Sequence, residues 1–407
     1  MKKPLLILFL TAGLAASCIY PFEAETDSET SDALVVEGDI NVGGITQVSI
    51  GRITNLSGNA PDAREYVYNV NVEDENGNIY SAGSRPYYDG MYPSDMYLNS
   101  VIDGSKQFFT IDTKDCNPAL KHRLHIYTDD NEYASDWLEV HISPAIDSIS
   151  VNPDEARKQL FIGLSCHSDN EQFFRWKYSE TWEYHTYNHA DLKYELPVQG
   201  TPTWNNGYGI VSRMAPGEET YTCWKSDASS EVMLFSTEHQ SDNRFVDLEF
   251  LSIPQNSDKL MVMYYINISV QSLSEQAYRY WETLNRTSTQ SGDLFAPIPS
   301  ELQGNITCLT DKDRLCVGYI SASTSSSIER FVDNGKILFY RSPLVHYEED
   351  QEIEEKLWKT TYLSGSWKPY TKQFNDMGQE VILWSESRCV DCRLKGGTTT
   401  KPSYWPY

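Results

Sequence analysis

YVYNVNVEDENGNIY, residues 66–80, is the stretch that decides the fold. Tyr66, Tyr68, Val70 and Val72 alternate with Val67, Asn69, Asn71 and Glu73, the period-two pattern of a strand with one face buried and the other wet. Asn76-Gly77 then offers the positive φ angles that a tight hairpin needs before Ile79 and Tyr80 resume the extended pattern. Upstream, Leu34, Val36, Gly38 and Ile40 alternate with Val35, Glu37 and Asp39. Downstream, further short strands are predicted from Gln107 to Ile111, Arg123 to Thr128 and Trp137 to Ile142. About seven strands with turn signals between them argue a β-sandwich over 33–144, of immunoglobulin-like or transthyretin-like type, with Pro144 marking its end.

The remainder, 145–407, reads as a larger β-rich domain, making the chain mainly β. Leu160, Ile162, Leu164 and Cys166 share one strand face, as do Phe174, Trp176, Tyr178, Trp182 and Tyr184 if that strand stays regular. Leu260 to Leu273 is the most apolar strand signal and belongs in the centre of a sheet. One amphipathic helix is expected near 272–289: Leu273, Ala277, Tyr280, Trp281 and Leu284 form its apolar stripe, Ser272 and Glu275 a capping box, and Gly292 and Pro297 its stop.

At the amino terminus, Lys2 and Lys3 precede an apolar run from Pro4 to Ala12, and small residues lead up to Cys18. That is a lipoprotein signal peptide over 1–17, too short for a permanent span, with Cys18 as the lipid attachment site. Residues 18–32, rich in Glu, Asp, Thr and Ser, form a flexible tether. The chain is therefore expected to be held at a membrane by its lipid, with its folded body outside the cytoplasm. Asp and Glu number 58 against 33 Lys and Arg, a net charge of −25 that repels phosphate backbones and argues against nucleic-acid binding.

Acylation of Cys18 leaves seven of the eight cysteines for an oxidising compartment, an odd number. Position favours Cys389 with Cys392, Cys308 with Cys316, and Cys166 with Cys223, leaving Cys116 over. Cys389 to Cys392 spell CVDC; a structural disulfide is the preferred reading over a redox motif or a metal site, because no helix follows to lower a thiol pKa. His185 and His189 stand four apart, but the aromatic alternation before them favours strand and loop, and no Glu follows the first as a zinc-peptidase motif requires. Asp129 to Glu132 and Glu73 to Asn78 resemble calcium loops in composition yet read as hairpin turns. A G-x-S-x-G elbow is absent, and neither metal nor cofactor is expected. A hydrolase assembled from scattered residues would need carboxylates to meet His122, His125, His185 or His189 in a cleft. The ten Trp and 27 Tyr suit sheet cores, sugar-binding faces and protein interfaces alike.

Several segments taken together resemble a known family: LVVEGDI at 34–40, YASDW at 133–137, PAIDSISV at 144–151, RYWETL at 279–284, FAPIPSELQGNI at 295–306, CVGYISAS at 316–323 and CVDCRLKGGTTTKPSYWP at 389–406. In this order they are similar to the Bacteroidetes lipoproteins grouped as domain of unknown function 4249. That resemblance implies an outer-membrane lipoprotein, often paired with a TonB-dependent receptor, and no catalytic residues to carry over. It also implies that Cys389 and Cys392 are a structural feature and that Cys18 is the lipidation site. The expected role is a non-catalytic binding or accessory subunit; the alternative is a stand-alone surface protein binding glycan or peptide.

Overall fold

Alternation of apolar and polar side chains is realised as antiparallel pairing along most of the chain, giving a mainly β molecule with few short helices. The computed structural model describes residues 33–52, 67–82, 100–103, 106–229, 232–290, 304–344 and 349–407. The signal peptide, Cys18 and the tether through Asp32 lie outside the described residues, as do Tyr66, Gly292 and Pro297.

The first body is a sandwich of two sheets. One runs Cys316–Val317, Leu34–Asn41, Ile45–Arg52, Lys106–Asp112 and Ser100–Asp103; the other runs Ile306–Cys308, Glu132–Ser135, His122–Thr128, Val67–Asp74 and Ile79–Ser81. Leu34, Val36, Ile40, Val70, Leu124 and Ile126 meet between the sheets, each at most 1 % exposed. The hairpin foreseen at Asn76-Gly77 is present. Asp74 accepts from the backbone N–H groups of Asn76 and Asn78 at 3.0 and 2.9 Å, and Gly77 takes φ +84°.

Sequence boundaries put everything after 144 in the other domain, yet three strands from beyond the helix return to the sandwich. Ile306–Cys308 pairs with Glu132–Ser135, while Cys316–Val317 and Ala322–Ser323 add in parallel to the two ends of Leu34–Asn41. Strands of two or three residues carry no readable period, so only pairing identifies them. Gly318, between the two parallel contacts, has φ +140°, and a Cβ there would run into the Val36 carbonyl oxygen. Gly318→Ala is expected to destabilise the protein by about 2 kcal/mol through forced backbone displacement, read as a lowered midpoint in urea denaturation.

In the second body a three-stranded sheet (Ile146–Asp154, Gln159–His167, Arg244–Pro254) faces a five-stranded one built on Phe173–His185. Phe173–His185 pairs with Thr222–Ala228, Met233–Ser236 and Met263–Ser272, and Ser325–Asp333 completes the sheet. Met263–Ser272 is central, as its apolar run predicts. Leu160, Ile162, Leu164 and Cys166 are all at 0 % exposure on one face. They oppose Phe174, Trp176, Trp182 and Tyr184, and Trp176 stacks on Phe235 at 3.9 Å. Burial of each such side chain contributes about 1.5–3 kcal/mol before conformational entropy is subtracted.

The helix spans Glu275–Gln290. Its cap is Ser274, whose Oγ accepts from the Ala277 N–H at 3.1 Å, and not Ser272 as the capping-box pattern implied. Ser272 is instead the last residue of the preceding strand, its hydroxyl donating to the Ile142 carbonyl at 3.3 Å. Beyond the second sandwich, Trp367–Phe374 and Glu380–Glu386 form a hairpin. The chain then turns through Ser387–Val390 and Cys392–Lys395 to lay Trp405 into the molecule, its indole N–H donating to Glu183 at 2.8 Å.

The cysteine pairing departs from expectation. Cys223 bonds Cys392, across 169 residues of chain, so Cys389 is not bridged to Cys392 and Cys166 is not bridged to Cys223. Cys166 lies in the three-stranded sheet and Cys223 in the facing one, and Cys223 is taken by Cys392, whose Cα stands 5.7 Å from its own. The terminal segment comes alongside Cys223 because the Tyr184 hydroxyl donates to the Cys392 carbonyl at 2.7 Å and the Cys392 N–H to the Thr220 carbonyl at 3.0 Å. Cys308 and Cys316, expected to be bridged, sit on the end strands of the two different sheets of the first sandwich, with no bond between them.

Candidate functional site

Where the two bodies meet, a cleft of about 660 Å³ opens between the Leu34–Asn41 sheet, the helix and the Phe173–His185 strand. The size lies in the ordinary range of ligand sites. Its location follows from strand geometry. Even-numbered residues of Phe173–His185 pack into the second core, so Arg175 and Lys177 must project from the opposite face, toward the first sandwich. Asp39 projects the same way from Leu34–Asn41 and becomes buried only because the second body covers it.

Arg175 and Asp39 form an ion pair across the junction, 3 % and 7 % exposed at their side chains. The guanidinium also donates to Gln271 Oε1 at 2.7 Å, and Asp39 accepts from the Ser321 hydroxyl at 2.8 Å. Burial works against charge on Asp39, but Arg175 and then Lys177 outweigh it and hold the carboxyl below its usual range. Lys177 is exposed in the cleft; loss of hydration and the charge of Arg175 lower its pKa, partly offset by Asp39.

From the helix come Tyr280, Trp281 and Leu284. Tyr280 packs against Tyr319 at 5.2 Å and edge-on to Trp281 at 5.7 Å, while Arg175 lies over the Trp281 ring at 5.2 Å. Phe108, 40 % exposed, supplies further apolar surface, and Glu37 is occupied by Lys106 at 2.8 Å. The cleft thus offers an aromatic wall, a fixed internal ion pair and, in Lys177, a cation without an ion-pair partner among the described residues.

A second, smaller cavity of about 390 Å³ includes Asp391, Lys368, Arg393 and Tyr362. Its carboxylate is saturated: Arg393 donates twice at 2.8 Å and Lys368 at 2.5 Å. Burial alone would raise the Asp391 pKa, but Arg393 and Lys368 overcome it and depress the value to about 2. A depressed carboxylate pKa contributes stability above the unfolded value and loses it as pH falls through the folded one. Wild type should therefore shed about 2 kcal/mol between pH 4 and about pH 2 that Asp391→Asn does not, measurable in denaturation midpoints across that window.

The other residues singled out by sequence do not converge on the cleft. His125 meets two carboxylates, Glu132 at 2.6 Å from Nε2 and Glu73 at 3.8 Å from Nδ1, at opposite ring nitrogens, so they cannot close on one ion. Among the described residues no three His, Cys, Asp or Glu side chains form a metal-ligand group. His122 is fully buried and its pKa is lowered by burial against the pull of Asp74. His185 and His189 both pack on Tyr221, at 4.4 and 4.8 Å. Burial raises four thiols: Cys116 and Cys389 to about 11, Cys166 and Cys316 to about 12, with Cys308 adding to the effect at Cys316. Arg175 and Lys177 were not singled out. The available signal was two cations at alternate positions in an otherwise aromatic strand.

Two β-sandwich bodies, between which the chain passes more than once, around a junctional cleft define the structural class. The family model described as domain of unknown function (DUF4249) matches residues 19–329, and the chain belongs to that family. No curated protein matches the sequence.

Proposed function

We propose that the protein is a non-catalytic binding or accessory lipoprotein of the outer membrane, anchored through Cys18 and working with a TonB-dependent barrel, with the junctional cleft as its binding place. The observation that carries the reading is the cleft itself, a preformed aromatic recess braced by the buried Arg175–Asp39 pair. Anchor and receptor partnership rest on the leader pattern and the family resemblance. Purification from native membranes in mild detergent should recover an outer-membrane barrel alongside the chain, and recovery of none would remove the accessory role. Mass spectrometry of the processed amino terminus should find acyl chains on Cys18; an unmodified thiol would overturn the anchor.

A second reading, stand-alone glycan or peptide binding at the cell surface, draws on aromatics of the first sandwich. Tyr68 and Trp137 are 41 % and 40 % exposed; Tyr68 lies 6.2 Å from Tyr127, and Arg123 sits over Trp137 at 4.5 Å. Protease shaving of intact cells should cleave the protein under this reading, and full protection would exclude it.

A further inference from the structure

Among the described residues, three N–H donor groups at the junctional cleft have no acceptor. Arg175 is 3 % exposed at its side chain, yet its Nε–H has no acceptor, because Asp39 and Gln271 are both served by the terminal Nη2. Trp281 Nε1–H is likewise buried without an acceptor. Both residues line the cleft, together with Lys177, whose ammonium makes no ion pair within 4 Å among the described residues. Buried donors are nearly always satisfied, and two of those without an acceptor, Arg175 Nε–H and Trp281 Nε1–H, belong to residues that line this one recess beside an exposed cation, an arrangement that suits an acceptor from outside. One cation with two neighbouring N–H groups matches a carboxylate, which accepts through two oxygens.

We propose that the cleft receives the free carboxyl terminus of an apolar peptide segment, the carboxylate meeting Lys177 beside Arg175 and Trp281, and the preceding side chains lying on Phe108 and Leu284. This deepens the binding role given to the cleft and depends on it. A peptide fits better than a fatty acid. The recess is half open, which would leave an alkyl chain partly in water, and its walls interleave Gln47, Ser49, Thr110 and the Tyr280 hydroxyl with the apolar groups, which suits backbone amides. The strongly acidic molecule repels anions at long range, so Lys177 selects a single negative charge on an otherwise apolar partner.

The test uses the full chain in mild detergent and N-acetylated pentapeptides randomised among Leu, Val, Ile and Phe, as free acids and as C-terminal amides, with laurate as a third probe. Trp fluorescence titration should give free acids about tenfold tighter than amides, and that ratio should collapse toward one in Lys177→Gln, an exposed change that leaves the fold intact. Trp281→Phe should weaken the acids more than the amides. Equal affinity of acids and amides for wild type, with both weakened by Trp281→Ala, would overturn the carboxylate assignment while leaving the cleft as the binding place. Failure of every peptide to bind, or binding indifferent to all cleft variants, would overturn the cleft reading itself. Lys177-dependent binding of laurate without peptide would overturn the choice of a peptide.

Discussion

Arg175→Leu is expected to lower stability by about 3–5 kcal/mol, because it leaves the Asp39 carboxylate buried at the junction with its main counter-charge gone. Gln271 loses its donor as well, and Trp281 the cation above its ring. The remaining partners, the Ser321 hydroxyl and the more distant Lys177, cannot restore the lost charge balance. The sign of the pH response should reverse. In wild type the depressed Asp39 pKa contributes stability that is present above the ordinary carboxylate range and fades as pH falls through the folded value. In Arg175→Leu burial dominates, the Asp39 pKa rises, and acidification relieves the penalty by neutralising the group. Urea denaturation at neutral and mildly acidic pH measures both effects. Adding Asp39→Asn in the Arg175→Leu background should recover at least about 1 kcal/mol, since an uncharged amide costs less to bury. A single variant as stable as wild type at neutral pH would show that the junction is not held by this pair.

Cys223→Ala should cost about 4 kcal/mol, the loss expected when a long loop is opened. The bond ties the end of the chain to the second sandwich across 169 residues, so its loss releases the segment that carries Asp391 and Trp405. Cys392→Ala should lose about the same amount, and the double variant no more than either, because all three remove one bond. Denaturation with and without reductant supplies the check. Wild type should fall to the level of the variants on reduction, while Cys223→Ala should be unmoved. A reductant effect that persists in Cys223→Ala would point to a second bridge, with Cys308 and Cys316 the pair to examine.

Much of the fold was legible wherever a strand had one wet and one dry face for five or more residues. Val70 and Val72, Leu160 to Cys166 and Phe174 to Tyr184 announced their inward sides through alternation, because a strand has only two sides to choose between. At Val67–Asn69 an irregularity in the pairing breaks the period, turning Val67 inward and leaving Tyr68 41 % exposed. Met263–Ser272 lies within the most apolar strand signal, Tyr264, Ile266, Ile268 and Val270 sharing its inward face, and takes a central place in its sheet. Cysteine partners were not legible in the same way. Spacing favoured Cys389 with Cys392, but a bond depends on Cα separation, and the fold set Cys223 and Cys392 5.7 Å apart. The cleft was invisible for a related reason. Arg175 and Lys177 looked like the solvated side of an aromatic strand, and Asp39 like the solvated side of another.

By itself the sequence determined several of the longer regular strands, which side of them faces a core, and where the helix Glu275–Gln290 lies, since those follow from local period and local apolarity. The strand expected over Trp137 to Ile142 is reduced to isolated bridges at Leu138 and His141. Only the tertiary structure decided that residues 306–323 return to the first sandwich, that Asp39 is buried against Arg175, and that the last cysteine meets Cys223. Those features join residues more than a hundred positions apart, and their energies exist only once whole sheets have packed, when a polar face that water would have covered is covered by another part of the chain.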